Sequence, residues 1–466
     1  MQVPRLIPTS VLLAAVLTGC AVAPTEEQVE QDVDQAAKSQ TPTVPVQWGK
    51  AADSGIVQAG WIESFDDTML TALVVEAQKN NRDLAAAAAN VDRAWSFARQ
   101  AGAALVPEVS LAATGAQTGV VETSRPATTN LNLGLQISWE ADVWGRLRSG
   151  QRAAAASAEA AAADFRSAQQ SLSAATAKAY FTAIEANIQV GITRETKQIL
   201  DETLRIVNVK YKNGMASAQD VSLSRSDLAK ARERLTSVQG SYRDAIRALE
   251  VLLGRYPGAD LKVREALPDV PPPPPAGLPS ELLERRPDIV AADRRVAAAF
   301  NATEQARAAR LPTLGLTGSL GGASSSLSDL LNPANVAWTQ GVNLLAPLYD
   351  GGRRIESVNI ATAEQEQALA AYGQAALNAF SELETNLDQG AVLQRRIVDL
   401  KVAATEAEKA FRVAKLRYDE GEEDLLSVLT IQQRVTGAKS SLSSAERLLL
   451  EQRVNLNLAL GGSWEN

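Results

Sequence analysis

Two hydrophobic periods alternate along the chain, and they do so twice in the same order. From Asn81 to Ala104 apolar residues recur at helical spacing, and Leu105-Val106-Pro107 ends the run because a residue preceding proline is pushed out of the helical region. Val109, Leu111 and Ala113 then alternate with Ser110, Ala112 and Thr114, which predicts a strand. After a polar turn, Leu131, Leu133, Leu135, Ile137 and Trp139 face one way while Asn130, Asn132, Gly134, Gln136, Ser138 and Glu140 face the other. Gly145 stops the alternation, and a proline-free helical pattern follows. In the second pass Leu314, Leu316 and Leu320 form one apolar face, and Val336, Trp338, Val342 and Leu344 another. Strands are expected at about 106–116, 129–141, 312–321 and 335–347.

The two passes form an internal repeat. Gly134, Gly145, Arg146, Tyr211, Gly214, Leu253 and Gly254 reappear 207 residues later as Gly341, Gly352, Arg353, Tyr418, Gly421, Leu460 and Gly461. This gives repeat 1 at 61–267, a stiff Pro-rich linker at 268–281 and repeat 2 at 282–466. Each repeat has a long helix (145–212 and 352–419), a tip turn (212–217 and 419–424) and a return helix (218–253 and 425–460). A helix of that length makes a rod about 100 Å long, too long for a compact domain. Val221, Leu228, Leu235, Tyr242 and Leu249 recur every seven residues, as do Val428, Val435, Leu442, Leu449 and Leu456, the signature of coiled-coil packing.

Composition limits the chemistry. The 466 residues include one cysteine and no histidine, so an intrachain disulfide, a zinc site and a His-dependent triad are excluded by residue type. No phosphate-cradling loop or nucleophile motif is present, and the expectation is no enzyme, no cofactor and no metal site. A net charge of -8 without a basic stripe argues against nucleic acid. Arg5 precedes an apolar run, Leu6 to Leu17, that suits a secretory signal over residues 1–19. It ends in Leu17-Thr18-Gly19-Cys20, which resembles a bacterial lipobox and implies acylation of Cys20, followed by an extended segment over 20–60. Ala21, in place of an aspartate, favours the outer membrane.

No later segment has the roughly 18 apolar residues of a spanning helix, so any crossing must use barrel strands. Leu131 to Trp139 suits such a strand, with Trp144 near the periplasmic interface and Gly145, like Gly352, bending strand into helix. Trp139 and Trp338 are candidate bilayer-interface residues. Four strands fall short of the roughly eight that close a barrel, so several chains must contribute.

The chain resembles the TolC-like outer-membrane factors, closest to their lipoprotein branch. The resemblance is carried by "WIESFDD" (61–67), "NNRDLAAAAANV" (80–91), "SWEADVWGRLR" (138–148), "LPSELLERRPDIVAAD" (278–293), "PLYDGGRR" (347–354) and the turns at Tyr211 and Tyr418. It implies a mainly α fold with a small β part: two helix–hairpin–long helix–helix repeats in a homotrimer whose twelve strands form one outer-membrane barrel, continued by a periplasmic coiled-coil barrel. The implied function is the exit duct of a tripartite efflux pump, with outer-membrane lipid, a periplasmic adaptor protein and an inner-membrane RND-type pump as partners. Tyr211, Gly214, Asp220, Tyr418, Gly421 and Asp424 match the family's periplasmic aperture, with the glycines permitting the reversal and the acids available to gate through tip salt bridges. Many members carry an acid in a V-L-D-A-Q pattern beyond the second tip, where this chain has Val428-Leu429-Thr430-Ile431-Gln432. Arg285 and Arg286 are expected to be structural rather than anion-binding. The alternatives are a duct for type I protein secretion and a pore-less periplasmic scaffold.

Overall fold

The computed structural model describes residues 25–41, 48, 60–119, 121, 126–276, 279 and 282–462. The signal segment and Cys20 lie outside the described residues, as does most of 42–59. Within the segment expected to be extended over 20–60, Glu26–Gln40 is instead a helix, started by a capping box between Thr25 and Gln28. The helices are α1 (Glu26–Gln40), α2 (Thr68–Asn80), α3 (Arg82–Ala103), α4 (Arg146–Lys212), α5 (Ala218–Leu252), the short α6 (Leu282–Arg285), α7 (Pro287–Ala308), α8 (Arg353–Glu420) and α9 (Leu425–Ala459). The strands are β1 (Glu108–Thr118), β2 (Thr128–Ala141), β3 (Thr313–Ser324) and β4 (Val336–Leu345). They form one antiparallel sheet in the order β1-β2-β3-β4. The fold is mainly α with a small β part, as the two periods predict.

Element ends follow backbone chemistry. β1 starts two residues later than the alternation predicts, because the N–H groups of Ala104, Leu105 and Val106 still close turns onto Ala101, Gly102 and Ala103. Pro107 then offers no N–H, so pairing begins at Glu108 with Ser138. β4 ends at Leu345, two residues short of the expected 347, because its partner β3 begins at Thr313. α8 continues to Glu420, one residue beyond the expected end.

The chain divides into two compact units. The first contains residues 1–41, 90–162 and 291–374, including the sheet, α1 and the flanking parts of α3, α4, α7 and α8. At the seam between the repeats Gly134 pairs with Gly321, and the two strands approach closely there. A Cβ on Gly134 would stand 3.0 Å from the Gly321 Cα, and one on Gly321 would stand 2.5 Å from the Gly134 Cα. Both lie on the face that carries Gln136, Ser138, Thr317 and Ser319, so this close approach is on the polar side.

The second unit contains residues 42–89, 163–290 and 375–466. Its core gathers Trp61, Ile62, Phe65, Leu70, Tyr180, Phe181, Leu249 and Leu450. Asp67 caps α2 through the N–H groups of Met69 and Leu70, accepts the Tyr180 hydroxyl at 3.1 Å and pairs with Arg264 at 3.0 Å. Burial, reinforced by the negative charge of Asp67, pushes the Tyr180 phenol well above its ordinary range. The seven-residue series on α5 and α9 packs inward: Val221, Leu228, Leu249, Val428, Val435, Leu449 and Leu456 are buried, and Leu235, Tyr242 and Leu442 are half-buried.

Arg286 is a structural residue. It is buried, forks onto Asp288 at 2.7 and 3.0 Å, and reaches Glu382 at 2.8 Å and the Ala459 carbonyl at 3.2 Å. Burial raises the Asp288 pKa, but the Arg286 hydrogen bonds and charge outweigh it and hold the carboxyl below the ordinary aspartate range.

Gly321→Ala should destabilise by about 1–3 kcal/mol through overpacking, whereas Ala337→Gly, on the same row at the free edge, should cost less; thermal unfolding midpoints check this. Arg286→Ala should cost about 2–3 kcal/mol. Because the folded-state pKa of Asp288 is depressed, its contribution is complete above the ordinary aspartate range and fades as pH falls through the lowered value. Stability measured against pH should therefore lose part of its acid limb in Asp288→Asn.

Candidate functional site

The sheet sorts its side chains into two surfaces. Successive cross-strand rows on one face read Val109–Ile137–Gly318–Gln340, Leu111–Leu135–Leu320–Trp338 and Ala113–Leu133–Gly322–Val336, with Trp139–Leu316–Val342 towards the helix-bearing end. Only Gln340 breaks their apolar character. The opposite face carries Ser110–Gln136–Ser319–Thr339, Glu108–Ser138–Thr317–Gly341 and Thr114–Asn132–Ala323. The apolar surface is open: Leu111 is 70% exposed, Trp338 69% and Val342 72%. A continuous apolar face of this kind demands a non-aqueous neighbour.

β1 and β4 each have one partner in the sheet, so each leaves a free edge. A sheet of four alternating strands has antiparallel edges, and copies joined edge to edge continue the same ladder.

At the helix-bearing end, polar groups clamp the strand-to-helix junctions. Gly145 (φ 75°) and Gly352 (φ 88°) supply the left-handed step. Asp142 accepts the N–H groups of Leu147 at 3.0 Å and Arg148 at 2.9 Å, placing a carboxylate at the start of α4. Glu140 takes Arg146 in a fork, at 2.7 and 3.1 Å. Asp350 does the corresponding work for α8, accepting the Arg354 N–H at 3.2 Å. Trp139 donates to the Leu105 carbonyl at 3.0 Å and Trp144 to the Pro312 carbonyl at 2.6 Å. Both indoles are thus half-buried and fixed, whereas Trp338 lies bare on the apolar face, one row from the turn end of its hairpin. The sequence pointed to the glycines and tryptophans; it did not single out Asp142 or Asp350 as helix anchors.

At the other ends of the long helices, the two tips close with the same backbone device. Gly214 (φ 74°) donates to the Tyr211 carbonyl, and Met215 reaches back to Lys210; Gly421 (φ 87°) donates to Tyr418, and Glu422 reaches back to Arg417. The return helices are also capped alike, with partners exchanged. Ser217 caps α5 in a reciprocal box with Asp220, while Asp424 caps α9 through the Ser427 N–H at 2.8 Å. Asp220 and Asp424 thus serve their own helix starts and form no ion pair among the described residues.

The two tyrosines diverge. Tyr211 is 48% exposed, and Tyr418 only 7%, packed among Val207, Leu425 and Val428. Lys210 binds Tyr418 twice, donating to its carbonyl and lying 4.0 Å above its ring. Burial first, then the charges of Asp220 and Asp419, raise the Tyr418 pKa. Lys210 was missed in the sequence; its match to Arg417 at the repeat offset is the available signal. Where relatives of the resembled family carry an acid, Thr430 is exposed and bonded to the Leu426 carbonyl at 2.7 Å. Two residues on, Gln432 is buried with its Oε1 unpartnered. Among the described residues, no cluster of three His, Cys, Asp or Glu is placed to hold a metal, and no helix is long and apolar enough to cross a membrane.

An amphipathic antiparallel sheet with an open apolar face and two free edges, in a chain that also forms long helical hairpins, is the combination expected of an outer-membrane channel protein. The chain belongs to the outer membrane efflux protein family, whose profile matches residues 73–255 and 278–462. It is 32% identical over 440 residues to the pyoverdine export outer membrane protein OpmQ of Pseudomonas aeruginosa, covering 91% of this chain and 92% of that one. It is 29% identical to the cation efflux system protein CusC of Escherichia coli O6:H1, covering 99% of each. Among solved structures, CusC superposes with a TM-score of 0.84 at 26% identity, covering 95% of this chain and 100% of that one. The open state of the Neisseria gonorrhoeae MtrE outer membrane channel gives 0.83 at 25% identity, covering 96% and 99%.

The contacts of Lys210 use the Tyr418 carbonyl and ring, not its hydroxyl. Lys210→Met should therefore loosen the second tip by about 1–2 kcal/mol, seen as faster amide exchange over 414–424, while Tyr418→Phe should leave exchange nearly unchanged.

Proposed function

We propose that this protein is the outer-membrane exit duct of a tripartite efflux pump that passes small toxic compounds to the exterior. The observation that carries the reading is the sheet: one face apolar and exposed, the other polar, and both edges unpaired. Three copies supply twelve strands, within the size range of closed outer-membrane barrels, with the polar face lining the passage. The long helices continue the passage into the periplasm. Acylation of Cys20 adds a second attachment to the membrane.

The tips around Gly214 and Gly421 form the periplasmic aperture, where an adaptor protein and an inner-membrane RND-type pump engage. The first tip presents Lys210 and Lys212; the second presents Asp419, Glu420, Glu422 and Glu423. In a three-fold assembly the acids of the second tip become rings of negative charge that favour cations at the mouth. Asp220 and Asp424 act there through the helix starts they cap, and Lys210 on Tyr418 holds the hairpins together in the closed state. The duct does no chemistry and needs no cofactor. Relatives are named for exporting pyoverdine and cations, and one for toluene efflux, which supports efflux over protein secretion.

Native mass of the complex extracted gently from outer membranes tests this reading. The expected result is a trimer carrying one lipid-sized increment per chain, lost in Cys20→Ser. In planar bilayers that trimer should conduct poorly, and Lys210→Met should raise its conductance. A stable monomer would leave the sheet edges without partners and return the scaffold reading.

A further inference from the structure

The loop joining β3 to β4 lies against the apolar face of its own sheet. Gly322 belongs to the row Leu133–Gly322–Val336 on that face. A Cβ there would strike the Leu330 carbonyl oxygen and stand 3.8 Å from the Asn335 oxygen. At Gly322 the loop backbone therefore lies on the apolar side of the sheet, the side that also carries Leu320 and Trp338, and away from the polar side.

The fold of this loop is held by its own polar contacts. Asn335 Nδ2 donates to the Asp329 carbonyl at 2.8 Å, Ser326 Oγ to the Asp329 carboxylate at 2.9 Å, and the Ala334 N–H to Asn332 Oδ1 at 3.0 Å. With those bonds made, Leu330 is tucked in while Leu327 and Leu331 are left 76% and 75% exposed. Two leucines four residues apart, displayed by a braced turn beside an apolar sheet, are costly in water and favourable in lipid.

We propose that this loop is a membrane anchor that inserts Leu327 and Leu331 among the acyl chains of the outer leaflet, extending the lipid-facing surface of the sheet past the end of the hairpin. Acyl contact is the chemistry on offer. The stretch from Thr313 to Gly352 contains neither Lys nor Arg, so it has no cation to hold a headgroup phosphate. The inference rests on the proposed outer-membrane placement of the sheet.

The test uses the full chain in proteoliposomes, with an environment-sensitive fluorophore attached in turn to Leu327→Cys, Leu331→Cys, Val342→Cys on the sheet face and Ser325→Cys. The unsubstituted chain, labelled in parallel, corrects for Cys20. Lipids spin-labelled on their acyl chains and aqueous iodide serve as the two quenchers. The expected result is blue-shifted emission at Leu327 and Leu331, quenched by the acyl spin label and not by iodide. Gly322→Ala, which pushes the loop off the face, should restore iodide quenching at both positions. Iodide quenching at Leu327 and Leu331 in the unaltered loop overturns the proposal, and so does protection from both quenchers, which would mean that protein covers the loop. If Val342 also escapes the lipid quencher, the outer-membrane reading fails instead, and the loop inference goes with it.

Discussion

Backbone hydrogen bonding at the sheet edges constrains everything else in this protein. In a bilayer an unpaired N–H or C=O has no water to turn to, so a lipid-exposed sheet must be closed. This chain carries four strands with an apolar face, and the outermost two lack a second partner. Its folded state as a single copy is incomplete in a chemically definite way. The even strand count makes the edges antiparallel, and the glycine pair at Gly134 and Gly321 permits a close approach of the two repeats' strands on the polar side.

Duplication solved the structural problems twice with different residues. Each tip reverses on a left-handed glycine, and each return helix begins on a side-chain cap, yet Ser217 with Asp220 in one copy becomes Asp424 with Ser427 in the other. The exchange keeps the bond from the third helical N–H to the capping side chain and moves the negative charge, while the return bond from the Ser217 N–H to Asp220 has no counterpart at Asp424 among the described residues. Tyr211 and Tyr418 show the opposite outcome, with the residue kept and the environment changed. One tyrosine is exposed, and the other is buried under Lys210. Backbone requirements are thus satisfied alike in both copies, and the side chains around them are free to diverge.

Where sequence and structure part, the cause is partner choice. Alternation in Leu131 to Trp139 and the seven-residue series in Val428 to Leu456 are local periods, and they translate directly into a two-faced strand and a packed helix. Asp220 and Asp424, by contrast, look like free acids in a charged turn until the N–H groups of Ser217 and Ser427, respectively, are seen to donate to them at the helix starts. Trp144 is similar. Its place after the strand is plain in the chain, but its partner, the Pro312 carbonyl, belongs to the other repeat.

By itself the sequence determined the mainly α fold with its small β part, the two repeats, the two-faced strands and the glycines at each change of direction, because all of these are set by spacing within a few residues. Only the tertiary structure decided which tyrosine is buried, which acids bond helix starts, where the strands of the two repeats approach closely and on which side of the sheet the β3–β4 loop lies. Those outcomes depend on contacts between residues far apart in the chain, and one-dimensional periodicity carries no record of them.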